Sequence, residues 1–206
     1  ILSYPGMQRE GIVKLIVTRG LGGRGYGTEG VTEPSRLLAH FSLPEFPDSN
    51  YRHGIRLFRC QTPLSSNARL AGLKHLNRLD QVLARQEWSV DDNYQEGLML
   101  DESGFPIEGV FSNLFMIKDN AIVTPLVDRS GVAGTMRRWL LETFKQRGDT
   151  LFERRISVAD FMAADECFFC NSVYGIWPVT EFKSQRWSVG SVTRDAQSRV
   201  AEAWGL

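Results

Sequence analysis

Little in this sequence draws it toward a highly charged or lipid partner. Its 24 basic and 24 acidic residues cancel to a formal charge of zero, so nothing attracts the whole molecule to nucleic acid or an anionic membrane. No apolar run approaches the roughly 20 residues needed to span a bilayer. The opening ILSYPGMQREGIVKL lacks the basic segment followed by an apolar one that marks a secretory signal. It also lacks an initiator Met, and the expectation is that further residues precede Ile1. Cysteine is scarce as well. Three cysteines cannot form a closed disulfide set, which favours a reducing, cytoplasmic compartment. Cys167 and Cys170 do form one CxxC, in DECFFCNS, but zinc would want a second ligand pair, and only His40, His53 and His75 are available. The apolar neighbours read instead as a buried strand, in which positions three apart face opposite sides.

What is present is an ordinary globular composition. With 42% hydrophobic and 23% charged residues over 206 positions, the chain can bury a substantial core and suits an enzyme or a binding protein. GIVKLIVT (11–18) and RLLAHFSL (36–43) read as strands. PEFPDSN (44–50) has the Pro, Asp and Asn content of a linker. The expected organisation is therefore the remainder of a small N-terminal domain at 1–43, a linker at 44–50 and a larger domain at 51–206. In the latter, IRLFRCQTPL begins a new set of strands. KHLNRLDQVLARQE (74–87) spaces Leu76, Leu79, Val82 and Leu83 as one apolar face of a helix opening at Lys74. SNLFMI and AIVTPL are joined through Lys118, Asp119 and Asn120 as a hairpin. Helices are expected at 131–147, stopped by Gly148, after Ser157, and over 192–204. Strand clusters with interspersed helices indicate α+β.

Five features carry candidate chemistry. GLGGRG (20–25) formally matches GxGxxG after a strand, but YGTEGVTEP follows where a dinucleotide site needs a helix. Its arginines, Arg19 and Arg24, offer charge-assisted bonds to a carboxylate, unless the loop is simply solvated. Lys74 follows a loop of small residues, SSNARLAG, and alone would pass for a surface lysine. Glu108 stands between a turn and an apolar strand in GFPIEGVFSNLF. Gly131 to Thr135 (GVAGT) is a glycine-bearing entry to a helix, whose free N–H groups and hydroxyl suit a phosphate. Asn171 and Ser172, at the end of the buried strand, could reach the same anion, with helix capping and turn chemistry as the plain alternative. A lysine, a carboxylate and a helix-end anion site are together the parts a pyridoxal phosphate pocket needs.

In this order, the parts resemble the fold-type IV pyridoxal phosphate enzymes, which include branched-chain and D-amino acid aminotransferases and the aminodeoxychorismate lyases. The resemblance rests on TRGLGGRGY (18–26), AGLKHLNRLDQVLARQ (71–86), EGVFSNLF (108–115), GVAGTMR (131–137) and CNSVYGIWPV (170–179). KHLNRLDQVLAR is the most specific and is similar to the lyases. The resemblance implies a two-domain fold whose N-terminal domain is incomplete here, since family members begin with a further section. It implies that Lys74 carries pyridoxal 5'-phosphate and serves as acid and base, and that Glu108 partners the pyridine nitrogen. Gly134, Thr135, Asn171 and Ser172 would help bind phosphate, Asn113 would lie near the ring, and Arg24 and Tyr26 would lie on the substrate side. A homodimer, a small-molecule substrate and a step toward folate are implied in the same way. An aminotransferase of this fold is the nearest alternative, and a non-catalytic relative or binding protein the next.

Overall fold

The computed structural model describes residues 11–205, which fall into two compact units meeting between Glu45 and Phe46. In the first, β1 (Ile12–Thr18) and β2 (Ser35–Phe41) form an antiparallel ladder, with Ile12 opposite Phe41 and Thr18 opposite Ser35. Residues 19–34 between them form no helix, so the GxGxxG match has no helix end with which to hold a pyrophosphate.

The second unit opens with α1 (Asp48–Arg52), which begins inside the stretch read as a linker; Asn50 there is buried. Its strands are β3 (Ile55–Arg59), β4 (Glu96–Leu100), β5 (Pro106–Gly109), β6 (Asn113–Lys118), β7 (Ala121–Pro125), β8 (Leu151–Arg154), β9 (Glu166–Asn171), β10 (Gly175–Phe182) and β11 (Gln185–Arg186). The pairing runs β3–β4–β5–β6–β9–β10 and returns from β10 to β3, so these strands close on themselves. β7 and β8 continue outward from β6, and β11 from β10. Closure leaves these six strands without a free edge among themselves. The β6–β7 hairpin turns where expected, with Asp119 and Asn120 both at positive φ, the backbone of a two-residue turn.

Alternation along the strands separates two of the three buried clusters. One packs Ile55, Leu57, Leu98, Leu114, Met116, Phe169, Trp177 and Val179 together. The other packs Phe115, Ile117, Phe168 and Ile176 beneath α3 (Thr135–Arg147) and α5 (Ser191–Trp204). Cys167 belongs to the first core and Cys170 to the second, so the CxxC lies along a buried strand with its thiols on opposite faces. Gly148 ends α3 in the left-handed region at φ 80°. Ser157 caps α4 (Val158–Met162) by accepting from Asp160 N at 3.0 Å.

One helix differs from its sequence pattern. α2 spans only Leu79–Arg85, so Lys74 lies in the preceding irregular segment and not at a helix start. Leu76, Leu79, Val82 and Leu83 are at least half exposed. α2 meets the core instead through Ala84, with Trp88 just beyond it. The short segment is anchored by these small and aromatic contacts, and its leucine stripe faces away from them.

These packing differences set an expectation for stability. Phe169 is wholly buried, whereas Val90 is 83% exposed. Phe169→Ala is expected to cost about 3–5 kcal/mol and Val90→Ala under about 0.5 kcal/mol. Urea unfolding of the two variants measures both.

Candidate active site

Four separate stretches of chain meet around one cavity of about 180 Å³. They are the irregular segment bearing Lys74 with the start of α2, the run from Glu108 in β5 through the turn to Asn113 at the start of β6, the entry to α3, and the end of β9 at Asn171 with Ser172 after it. Lys74, Glu108, Asn113, Gly134, Thr135, Asn171 and Ser172 all line it. Arg24 and Tyr26 belong to the first unit, where both are exposed.

The turn before α3 organises the cavity. Gly131 takes φ +83°, and a Cβ there would press within 2.7 Å of Ile107, so the position requires glycine. Gly72 N donates to Gly131 O and Ala133 N to Gly72 O, each at 3.0 Å, which pins the Lys74 segment to this turn. Val132 N donates to Glu108 Oε2 at 2.8 Å, and Asn113 Nδ2 donates to Val132 O at the same distance. A Cβ on Gly134 would collide with Asn113 Oδ1, so the helix entry is packed directly on this amide.

α3 starts without a side-chain cap: Gly134 is its N-cap and offers none. The leading N–H groups, beside the Thr135 hydroxyl, therefore present partial positive charge to the cavity. Ser172 lies at the same wall. Asn171 has a different local task. Its Oδ1 accepts from Val173 N and Tyr174 N at 2.9 Å, and its Nδ2 donates to Phe111 O at 3.2 Å, tying two wall turns together.

Glu108 is the electrostatic centre. Burial pushes its carboxyl up to about 7, opposed by the Val132 amide, by the charges of Arg78 and Lys74, and by Gln81. A second buried carboxyl, Glu96, is also raised to about 7 by burial. It accepts from Gly97 N at 2.8 Å, Val110 N at 2.9 Å and Ser112 Oγ at 2.5 Å, bracing the β5–β6 turn from behind. Sequence reasoning missed Arg78 and Gln81, which also line the cavity. Arg78 stands within KHLNRL, where it read as one of the charges on the polar face of a helix. A buried carboxyl, a neighbouring amine and an uncapped helix end can bind a phosphorylated aromatic cation: carboxylate to ring nitrogen, amine to carbonyl carbon, helix end to phosphate.

The chain is similar to known proteins over most of its length. The family model of amino-transferase class IV matches residues 3–182. The chain is 34% identical to aminodeoxychorismate lyase of Vibrio harveyi, over 91% of this chain and 70% of that one. It is 26% identical to a putative branched-chain-amino-acid aminotransferase of Methanocaldococcus jannaschii, over 96% of this chain and 70% of that one. The crystal structure of 4-amino-4-deoxychorismate lyase from Pseudomonas aeruginosa superposes with a TM-score of 0.92 at 47% identity, covering 96% of this chain and 73% of that one.

The raised Glu108 carboxyl has a testable sign. The folded protein holds this proton more tightly than the unfolded chain, so the contribution to stability is complete below about pH 4.5 and is lost as pH rises through about 7. In the cofactor-free protein, Glu108→Gln is expected to be the more stable form at about pH 8, by at most about 3 kcal/mol, with the gap closing towards about pH 5. Urea titrations across that range measure it; a gap independent of pH would contradict the assignment.

Proposed function

Because the chain belongs to the amino-transferase class IV family, we propose that it is a pyridoxal phosphate-dependent lyase that converts 4-amino-4-deoxychorismate to 4-aminobenzoate and pyruvate. One observation carries the reading: Lys74, Glu108 and the uncapped start of α3 line a single cavity. Over nine-tenths or more of the chain, identity to the two lyases named above, 34% and 47%, exceeds the 26% to the Methanocaldococcus jannaschii aminotransferase, which favours elimination over amino transfer.

The residues fit the cofactor. Lys74 would hold it covalently. Glu108, beside Val132 N and Asn113, would keep the ring nitrogen protonated; a bound cation favours its carboxylate and draws its pKa back down. The leading N–H groups of α3, with the Thr135 and Ser172 hydroxyls, would hold the phosphate, and Gly134 would let it approach the backbone. Asn113 and Asn171 fix the walls through the contacts already described. When bound, pyridoxal phosphate supplies an electron sink next to the substrate carbon that bears nitrogen. The Lys74 amine, freed when the substrate amine replaces it on the cofactor, would take the proton from that carbon and return a proton to the departing enolpyruvyl oxygen. Loss of that group leaves the ring aromatic. Arg24 and Tyr26 are assigned to the substrate on the resemblance of TRGLGGRGY.

The working unit we propose is a cytoplasmic homodimer. The exposed side chains of Leu76, Leu79, Val82 and Leu83 suit a second copy, and the free thiols of Cys60, Cys167 and Cys170 suit a reducing compartment.

The test is a pair of assays on the protein with added pyridoxal phosphate. Pyruvate release from 4-amino-4-deoxychorismate is expected in the wild type, falling by about a thousandfold or more in Lys74→Ala, as for loss of a group that acts in the chemical step. Amino transfer to a keto acid without pyruvate release would assign the site to an aminotransferase. A protein inactive in both, and colourless after incubation with the cofactor, would be a binding relative.

A further inference from the structure

The segment that carries Lys74 has almost no backbone support of its own. Residues 74–77 lie in neither helix nor strand, and among the described residues no backbone–backbone hydrogen bond involves their N–H or carbonyl groups. The regular contacts stop at Gly72, tied to the turn before α3, and at Leu73 N, which donates to Leu70 O at 3.1 Å. They resume at Arg78, whose carbonyl accepts from Val82 N at 3.1 Å at the start of α2. A lysine that must meet one carbon of a cofactor thus stands at the start of an unsupported loop.

A single side chain spans that gap. Arg78 Nη2 donates to Leu73 O at 2.6 Å and Arg78 Nε donates to His75 O at 3.0 Å. These two acceptors bracket Lys74, one from the peptide preceding it and one from the residue after it. Nε and Nη2 belong to one rigid plane, so both bonds together fix the spacing and orientation of the two carbonyls. An ammonium group has the charge but not the fork. Arg78 also lines a second cavity, of about 190 Å³, together with His75 and Asp80. Its charge reaches Glu108 as well, alongside that of Lys74.

We propose that Arg78 is the positioning residue for Lys74: it splints the loop from both sides of the lysine and so aims the amine into the cavity. This inference rests on the proposed function, because it needs Lys74 to be the residue that captures the cofactor. It assigns no contact between Arg78 and the cofactor. It does explain why an arginine follows the lysine at a distance of four residues in a segment that is not helical.

The experiment adds pyridoxal phosphate to cofactor-free wild type, Arg78→Lys and Arg78→Ala. It follows covalent capture at Lys74 by stopped-flow absorbance and records the melting temperature of each cofactor-free protein. Capture is expected to slow by about tenfold or more in both variants, the scale of losing charge-assisted hydrogen bonds, with melting temperatures within a few degrees of wild type. Failure of the lysine variant to restore the rate is the mark of the fork, since charge alone is then insufficient. Capture at the wild-type rate in Arg78→Lys overturns the inference, as does slowing that occurs only with a large fall in melting temperature. A wild type that captures nothing overturns the proposed function itself, and the inference with it.

Discussion

The peptide of Val132 is hydrogen-bonded on both of its polar sides, and the site depends on that arrangement. Its N–H meets the Glu108 carboxyl and its carbonyl meets the Asn113 amide. The residues on either side of it, Gly131 and Ala133, meet Gly72 at the head of the Lys74 segment. One turn therefore sets the distance between the carboxylate, the lysine loop and the start of α3. The turn can exist only because Gly131 adopts a left-handed backbone where Ile107 leaves no room for a Cβ. Buried polar groups satisfied this fully hold a single geometry, whereas a half-satisfied network would cost stability and precision together.

The closed set of strands supplies the rigidity behind that turn. β5 and β6 bring Glu108 and Asn113 into register opposite each other, and β9 delivers Asn171 and Ser172 beside them by pairing with β6. Two buried carboxyls then divide the work. Glu96 is surrounded by donors and braces the β5–β6 turn. Glu108 faces the cavity and stays above the ordinary carboxylate range until a cation arrives. The electrostatics thus favour a positively charged ring at Glu108 and an anion at α3, matching the two ends of the cofactor proposed for this site.

Much of this was legible in the sequence because the signals were local. Alternation in SNLFMI and AIVTPL, the Asp119-Asn120 turn, the Gly148 stop and the Ser157 cap each specify their own backbone. Glu108, Asn113, Gly134 and Thr135 were legible as candidates only in combination, through ordered motifs of a known family. The start of α2 was not legible. Periodicity from Leu76 to Leu83 is helical, but Arg78 bonds back to carbonyls at 73 and 75, and Gly72 anchors the loop to a turn sixty residues later. The Gly72 tie is long-range and leaves no local trace, and with the Arg78 bonds it overrides propensity. Arg78 itself reads as one more charge on a helix face until its bonds to the loop are seen.

The central claim is that this cavity places Lys74 where it alone can bond the cofactor. Incubating the protein with pyridoxal phosphate, reducing with borohydride and mapping the modified peptide by mass spectrometry tests that directly. The account predicts a single modified lysine, Lys74, and loss of the modification in Lys74→Ala. Modification spread over surface lysines, or persisting undiminished in that variant, would contradict it.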